Sequence, residues 1–471
     1  MKLMTAHRIL VRGHVVTADP GLGVIRDGEV LIEDGVIAAV GQDLGVGDAE
    51  VIDSEGGIVA PGTVDTHRHT WQTQMRGCCG DMSLQQYIQG FWADATPSYS
   101  AQDARLGTLV GALEALNGGV TTLLDYAHIT NTPEHADAAV DALHEAGIRA
   151  VFAYGLGQAN VFGPPDHDRQ ADFARIAAER FSSSDGLVTL GAALSEIGMA
   201  PISLNRTQKR LADEHGAIST AHIGALWSNP SGLAELHAAG VLDPRLVLVH
   251  ANTLREADWK LAAEAGVKVS TTPESELNMG AGKLAVNDVL RHGLKPTIGA
   301  DIVSLNSGDV LTPTRQALAY TRWVEAEPLN REGADVYQVS PTTADALEWA
   351  TVNGADALGL GDHVGSLTPG KQADLIVVGG HHLGIRPVND PVAQLVFHVS
   401  PGLIDTVLVA GRAVKRDGRL VGVDLDRLLR RLDDSSREIQ DRMAHLAASK
   451  VPPPPEVIAA FPQWIANNLA S

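Results

Sequence analysis

Two histidines separated by one residue form the pair in this chain with the clearest capacity for chemistry. His67 and His69 lie in a short apolar run that follows Pro61-Gly62, a pattern typical of a β-strand. Residues i and i+2 of a strand point to the same face, so the two imidazoles share one side of the sheet. Because imidazole is the commonest protein ligand for metal ions, the pair predicts half of a metal site.

Three later apolar runs are also typical of strands, and each of them ends in a further candidate ligand. These residues are His222, His250 and Asp301. Four histidines and one aspartate at matching strand ends are hard to attribute to packing, so we predict one metal site. Three neutral imidazoles and a carboxylate suit zinc, iron(II) or manganese, with one position left for water. A bound ion would lower the pKa of that water, and we expect Asp301 to bind the metal and to take the proton.

The segments that must position these side chains alternate between short apolar runs and longer, Ala-rich helical patterns. The predicted strands cover residues 63–69, 120–126, 150–154, 188–194, 218–222, 246–250, 267–271 and 296–301. The helical patterns between them cover residues 102–118, 133–146, 170–180, 204–215, 231–239, 253–265 and 284–292. Strand–helix units in series, with eight strands, predict an α/β fold, a (β/α)8 TIM-type barrel. Such barrels carry their catalytic groups at the C-terminal ends of the strands.

Shorter β-rich segments flank the predicted barrel on both sides. Asp34-Gly35 separates two apolar runs and is a hairpin signal, and strand patterns return at 373–378 and 407–414. We expect the flanking strands to form one small composite β-sandwich domain in which the barrel is inserted. The predicted division places the sandwich at 1–62 and 356–423, the barrel at 63–355 and a helical C-terminal tail at 424–471.

The amino-acid composition indicates which cellular compartment and which classes of partner to expect. The 471 residues include 36 Lys and Arg against 57 Asp and Glu, a net charge of −21, which argues against nucleic acid and anionic membranes as partners. Cys78 and Cys79 are adjacent and cannot form a disulfide framework, and no signal peptide or membrane-spanning run is evident. We therefore expect a cytoplasmic protein with a small-molecule substrate. The aromatic segment after Pro455 predicts a helix packed on the barrel or on a second copy, and hence a homo-oligomer.

The strand-end residues and the split β-domain together resemble the amidohydrolase superfamily. Within it, the chain is most similar to the branch of cytosine deaminases, chlorohydrolases and phenylurea hydrolases, over about residues 8–420. The resemblance implies one divalent ion, with zinc as the first choice and iron or manganese as alternatives. It also implies that this ion is held by the residues that match the metal ligands of the family, which are His67, His69, His222 and Asp301. The residue matching His250 faces the substrate and polarises the bond under attack.

The chain departs from the pattern of this branch at two positions. Deaminases of the branch carry a glutamate three residues after the strand-5 histidine, which shuttles a proton to a ring nitrogen; here that position is Ala225. The fourth strand ends in Leu194-Ser195-Glu196, with no lysine to bridge a second metal. We therefore expect one metal ion, and hydrolysis at a carbonyl-like carbon in preference to deamination.

Three hypotheses about function follow from the site and its departures. The first is hydrolysis of a non-peptide C–N bond, in an amide, urea or carbamate-like molecule, by metal-bound hydroxide with Asp301 and His250 as catalytic residues. The second is an aminohydrolase or chlorohydrolase acting on a nitrogen heterocycle, with Glu196, Glu274 or Glu276 in place of the missing carboxylate. The third is a catalytically inactive binding protein.

Substrate contacts are predicted more weakly, from residues next to the strand ends. A flat or apolar substrate would suit an aromatic wall, and similar proteins close a Pro-x-Ser loop over the substrate, which Pro273-Glu274-Ser275 matches. For each candidate, a structural or solvated role is the competing interpretation. The candidates are Gln72, Trp92, His128, Glu196 and Glu274.

Overall fold

The computed structural model describes residues 7–45, 47–157, 167–183, 186–226 and 231–449, which form two eight-stranded sheets. The strands are β1 (Arg8–Val16), β2 (Val24–Glu33), β3 (Val36–Gly41), β4 (Glu50–Pro61), β5 (Thr63–Arg68), β6 (Val120–Ala127), β7 (Arg149–Gly155), β8 (Val188–Ala193), β9 (Ile218–Ile223), β10 (Leu246–His250), β11 (Lys268–Thr271), β12 (Pro296–Ile298), β13 (Leu375–Val378), β14 (Ile404–Val409), β15 (Arg412–Arg416) and β16 (Arg419–Leu420).

The helices that connect and cover these strands follow the predicted alternation. They are α1 (Ala101–Asn117), α2 (Pro133–Ala146), α3 (Arg169–Arg180), α4 (Ile202–Glu214), α5 (Leu233–Ala238), α6 (Glu256–Ala265), α7 (Pro273–Asn278), α8 (Val286–Arg291), α9 (Leu311–Arg331), α10 (Thr343–Trp349), α11 (Val352–Ala357), α12 (Pro391–His398) and α13 (Leu425–Ser449). Short helical turns cover Thr70–Met75, Leu84–Gln86, Tyr87–Trp92, Ala93–Ala95, Thr96–Ser98 and Pro401–Leu403.

Strands β5 to β12 form the barrel, each strand parallel to the next in chain order. The first and last strands meet just beyond β12, where Arg68 and Asp301 form a parallel bridge. The backbone amide of His69 donates to the carbonyl of Asp301, and the amide of Asp301 donates to the carbonyl of His67, both at 2.8 Å. The barrel therefore closes at the rim that carries three of the predicted site residues, and the predicted fold class is confirmed.

The second sheet combines strands from both parts of the chain, in the order β16-β15-β14-β13-β4-β1-β2-β3. Strand β4 pairs antiparallel with β13, so that Pro61 lies opposite Leu375. Val36, at the start of β3, forms a bridge with Gln372, just before β13. The sheet thus curls over its own apolar interior, which includes Val11 and Val59. The predicted sandwich is one folded sheet, whereas the exact domain boundaries stay a prediction.

The last described helix, α13, packs against the short helical turns that follow β5. Ile439 is fully buried beside Trp71 and Tyr87. The hydroxyl of Ser435 and the guanidinium of Arg442 both donate to the carboxylate of Asp103, at 2.6 Å and 2.5 Å. None of the described helices combines the length and the apolar character needed to cross a membrane. The aromatic segment from residue 456 onward lies outside the described residues.

Candidate metal centre

Four of the predicted site residues bring their ligand atoms together at the barrel rim. We call His67, His69, His222 and Asp301 the rim cluster. The Nε2 atoms of His67 and His222 are 3.3 Å apart, and Asp301 Oδ1 lies 3.3 Å from His67 Nε2 and 3.4 Å from His69 Nε2. Ligand atoms around a tetrahedral ion with bonds of about 2.1 Å are separated by about 3.4 Å. The spacing therefore fits a single divalent metal ion.

Hydrogen bonds on the outer side of two rings orient their lone pairs towards this point. His69 Nδ1 lies 3.0 Å from the backbone carbonyl of Tyr126, and His222 Nδ1 lies 3.0 Å from Glu196 Oε1. Since both partners are acceptors, each Nδ1 carries the proton and each Nε2 is left as a metal-binding lone pair. Glu196, predicted as a substrate contact, thus supports a metal ligand as well.

The surroundings of the rim cluster keep His67 and His69 neutral and Asp301 ionised, as a metal site requires. The side chain of His67 is fully buried and that of His69 nearly so. Burial lowers the pKa of His67 to about 3 and lowers the pKa of His69 well below its usual value. Burial would raise the pKa of Asp301, but the hydrogen bond from His67 and the charges of the nearby histidines outweigh it and hold that pKa well below its usual range. Neutral imidazoles and an ionised carboxylate are the donor set that suits zinc, iron(II) and manganese.

The backbone at two of these strand ends adopts a conformation that non-glycine residues seldom take. The φ angles of His250, Ala251 and Asp301 are 73°, 59° and 59°. Left-handed backbone at such residues costs about 1–3 kcal/mol each and occurs mainly where the surrounding structure enforces it, as at active sites. The strained turns direct His250 and Asp301 into the barrel mouth.

His250, the fifth predicted residue, stands beside the rim cluster. Its ring stacks on that of His222 at a centroid distance of 5.4 Å. On its outer side, His250 Nδ1 lies 3.1 Å from Thr272 Oγ1 and 3.3 Å from Glu276 Oε1. Burial lowers the pKa of His250, but the hydrogen bond to Glu276 and the negative charge of Asp301 outweigh that effect, so the pKa is raised. This ring is therefore able to carry a proton next to the metal site.

A cavity opens directly above the rim cluster, and its walls are mainly apolar. The wall residues include Leu84, Tyr87, Ile88, Trp92, Met199 and Met279. Ala225, where the resemblance to deaminases led us to expect a glutamate, also lines the cavity. Among the described lining residues there is no lysine or arginine, and the charged members are Glu196, Glu276 and Asp301. The cavity therefore offers a ligand mainly apolar contacts above the rim cluster.

Three of the predicted substrate contacts line this cavity. Trp92, His128 and Glu196 are among its lining residues. The ring of His128 stacks on that of His69 at 4.3 Å between centroids. The structure therefore brings these three side chains to the metal site as the sequence predicted, although their roles in substrate binding stay predictions.

The other two predicted contacts point elsewhere. Gln72 is buried, donates to the hydroxyl of Tyr87 at 2.6 Å and accepts from Ser304 at 2.7 Å, so it supports the cavity wall from behind. Glu274 accepts from the hydroxyl of Ser307 at 2.7 Å and does not line the cavity. Both side chains satisfy their polar groups within the protein, which explains why neither faces the cavity.

Sequence reasoning missed most of the cavity wall. Leu84, Tyr87 and Ile88 belong to short helical turns, and Met199 and Met279 lie in connecting loops. Segments this short have no usable periodicity. The signal that could have found Leu84, Tyr87 and Ile88 is the concentration of aromatic residues between the metal strand and the first long helix.

Comparison with known proteins places this arrangement in a family. The model of the amidohydrolase family matches residues 58–414. A 5-methylthioadenosine/S-adenosylhomocysteine deaminase from Symbiobacterium thermophilum is 30% identical over 426 residues, which cover 87% of this chain and 94% of that protein.

Two solved structures have a similar fold. An adenosine deaminase from Xanthomonas campestris with bound zinc has a TM-score of 0.79 and 24% identity, covering 93% of this chain and 98% of that chain. A variant of an atrazine chlorohydrolase from Arthrobacter aurescens, with zinc and atraton, has a TM-score of 0.80 and 22% identity, covering 91% and 100%. Since the family model spans the barrel and part of the folded sheet, the chain belongs to the amidohydrolase family and is a hydrolase that acts on carbon–nitrogen bonds.

Proposed function

We propose that the protein hydrolyses a non-peptide C–N bond of a small amide, urea or carbamate-like molecule with one divalent metal ion. The observation that carries the proposal is the rim cluster, whose ligand atoms have metal-like spacing at the floor of an apolar cavity. His67, His69, His222 and Asp301 would hold the ion. When bound, the ion supplies a water whose pKa is lowered towards neutrality and polarises the group under attack.

The side chains around the ion would manage the protons of the reaction. Asp301 is ionised and its carboxylate faces the cavity, so Oδ1 or Oδ2 can accept the proton of the attacking water and pass it towards the leaving nitrogen. His250 can carry a proton, and Glu276 orients its ring from behind. We assign to His250 the polarisation of the substrate oxygen, or of its equivalent, as bond breaking begins.

The residue at position 225 supports an amide-like substrate over an amino-heterocycle. Deamination of an aromatic amidine requires a carboxylate that carries a proton to the ring nitrogen. Ala225 lines the cavity and has no group that could do so. Attack on a carbonyl-like carbon needs no such transfer, because only the leaving nitrogen has to gain a proton.

A second candidate function is an aminohydrolase, or a chlorohydrolase, acting on a nitrogen heterocycle. The similarity of the chain to a deaminase and to a chlorohydrolase supports this second function. Two further carboxylates, Glu196 and Glu276, line the same cavity and could take over the missing role. Glu274 is not placed to take over that role, because its carboxylate is held by Ser307 outside the cavity.

A product assay on protein with defined metal content tests the proposal and separates the two functions. The substrate panel contains an anilide, an N-aryl urea, an N-aryl carbamate, an aminopurine and a chlorotriazine. We expect amine release by zinc-loaded protein and none after chelation, with iron and manganese tested by reconstitution. Asp301→Asn should lower kcat by roughly 10²- to 10⁴-fold. Glu274→Gln should leave the rate unchanged, since that side chain faces away from the cavity.

The outcomes of this assay are distinct. Release of ammonia or halide without amine would establish the second function in place of the first. Full turnover by metal-free protein would refute both.

We further propose that the protein is a homo-oligomer and that it is cytoplasmic. Light scattering on purified protein tests the oligomeric state, and a monomer would refute the proposed assembly.

A further inference from the structure

One carboxylate oxygen of a cavity-lining residue has no hydrogen-bond donor among the residues that the structure describes. Glu276, on α7, is only 1% exposed and lines the cavity. Its Oε1 accepts from the backbone amide of Thr272 at 2.8 Å and lies 3.3 Å from His250 Nδ1. Its Oε2 is buried and has no partner among the described residues. A buried carboxylate oxygen without a donor is costly, so its presence at a binding cavity points to a donor on the ligand.

The other acidic groups in the cavity are already engaged. Both carboxylate oxygens of Glu196 lie within 3.1 Å of His222 Nδ1. Asp301 Oδ1 lies against the Nε2 atoms of His67 and His69. Apart from Asp301 Oδ2, which the proposed function assigns to the attacking water, Glu276 Oε2 is therefore the carboxylate oxygen that a ligand can use without displacing a contact of the rim cluster.

The charge of the cavity restricts the ligand further. No lysine or arginine occurs among its described lining residues, and the internal positions outside the described ranges, 46, 158–166, 184–185 and 227–230, contain neither residue type in the sequence. Beyond the reach of the metal ion and of His250 at the cavity floor, an anionic group would meet carboxylates and apolar walls with no lysine or arginine to pair with. Neutral or cationic molecules avoid that cost.

We propose that Glu276 Oε2 accepts a hydrogen bond from an N–H group of the substrate, and that the substrate carries such a donor and no anionic group on the part that lies against the apolar wall. This inference rests on the proposed function, because it places the substrate above the rim cluster. The class comprises secondary amides, N–H ureas and carbamates, and amino-heterocycles, each with an aromatic or aliphatic part against the apolar wall. Glu276 is then a specificity-determining residue, and it also positions His250 through its other oxygen.

A buried acceptor built for a donor rejects analogues that lack it, because the acceptor is then left unpaired. Replacing the N–H by N–CH3 removes the donor and adds a methyl group at the same place. We expect N–H ligands to bind roughly 10- to 100-fold more tightly than their N-methyl counterparts.

Two hydroxamates provide the probes. Benzohydroxamic acid and N-methylbenzohydroxamic acid both chelate zinc through their oxygens, but only the first has an N–H. Their dissociation constants are measured by calorimetry on zinc-loaded wild type, Glu276→Gln and Glu274→Gln. Glu276→Gln should lose the N–H preference, because its amide N–H2 is a donor where Oε2 was an acceptor. Glu274→Gln, two residues away on the same helix, should keep it.

A second measurement does not depend on any variant. Benzohydroxamic acids with a para-carboxylate and a para-aminomethyl group are compared on the wild type, and the anionic probe should bind at least about tenfold more weakly. Equal binding of the N–H and N-methyl probes to the wild type, or an unchanged preference in Glu276→Gln, would overturn the inference and leave the proposed function intact. Failure of every hydroxamate to bind zinc-loaded protein would overturn the proposed function itself.

Discussion

A single methyl group added at Gly299 should disturb the metal site without touching the imidazole ring of any ligand. Gly299 follows β12 and lies against the backbone of β5 where the barrel closes. A Cβ atom there would lie 2.8 Å from both the Cβ and the carbonyl oxygen of His67, and 3.1 Å from its nitrogen. Gly299→Ala is therefore a purely steric perturbation of one ligand's backbone.

The size of the displacement can be worked out from these distances. Carbon atoms in contact prefer a separation of about 3.5–4.0 Å, so the methyl group must push His67 away by about 0.7 Å or more. Functional constellations tolerate errors of about 0.5 Å. The clashing atoms belong to the backbone or to Cβ, so no rotamer change can relieve the contact. We expect zinc affinity to fall by roughly 10- to 100-fold, the range found when the supports of metal ligands are removed, and stability to fall by about 1–3 kcal/mol.

The assay is a competition between the zinc-free protein and a chromophoric chelator at pH 7, with thermal unfolding measured in parallel. Gly402→Ala is the matched control, because a Cβ at Gly402 meets no atom within 4 Å. If Gly299→Ala bound zinc within a factor of two of Gly402→Ala and unfolded at the same temperature, the argument that this contact sets the ligand geometry would be refuted.

Three further predictions test other parts of the structure. Zinc-free protein should lose stability as the pH falls from about 6.5 to about 3, because His67 takes up its proton on unfolding in that range; denaturant titration should show a smaller loss in His67→Gln. Ile439→Ala, at a fully buried position of α13, should cost roughly 2–5 kcal/mol in urea unfolding, whereas Leu429→Ala, 44% exposed on the same helix, should change stability by less than about 0.5 kcal/mol. Ala225→Glu should increase ammonia release from amino-heterocycles relative to amine release, and an unchanged ratio would argue against our interpretation of that position.

The convergence of the ligands could be predicted because it depends on two general rules of β-structure. The two-residue period of a strand puts His67 and His69 on one face, and parallel barrel strands bring their C-terminal ends to one rim. These rules place His222, His250 and Asp301 beside the pair, although more than 150 residues separate them from it.

The cavity walls could not be predicted in the same way. The turns around Tyr87 are only three to six residues long, and their position depends on contacts with the distant helix α13. Nor does any sequence pattern indicate that Glu196 would lie behind His222, or that Glu274 would face Ser307 while Glu276 faces the cavity. Those orientations follow from hydrogen bonds made only after the loops have folded.

The pairing of β4 with β13 has a consequence for how the protein is made. The two strands lie on either side of the whole barrel in the chain, so β4 leaves the ribosome with its partner more than 300 residues from being translated. Until then β4 presents an unpaired edge of apolar residues, which is the feature that promotes aggregation of folding intermediates. The whole barrel is therefore synthesised while the edge of β4 that will pair with β13 is still unpaired. Pairing of β4 with β13 is a late step in folding, between strands far apart in the sequence.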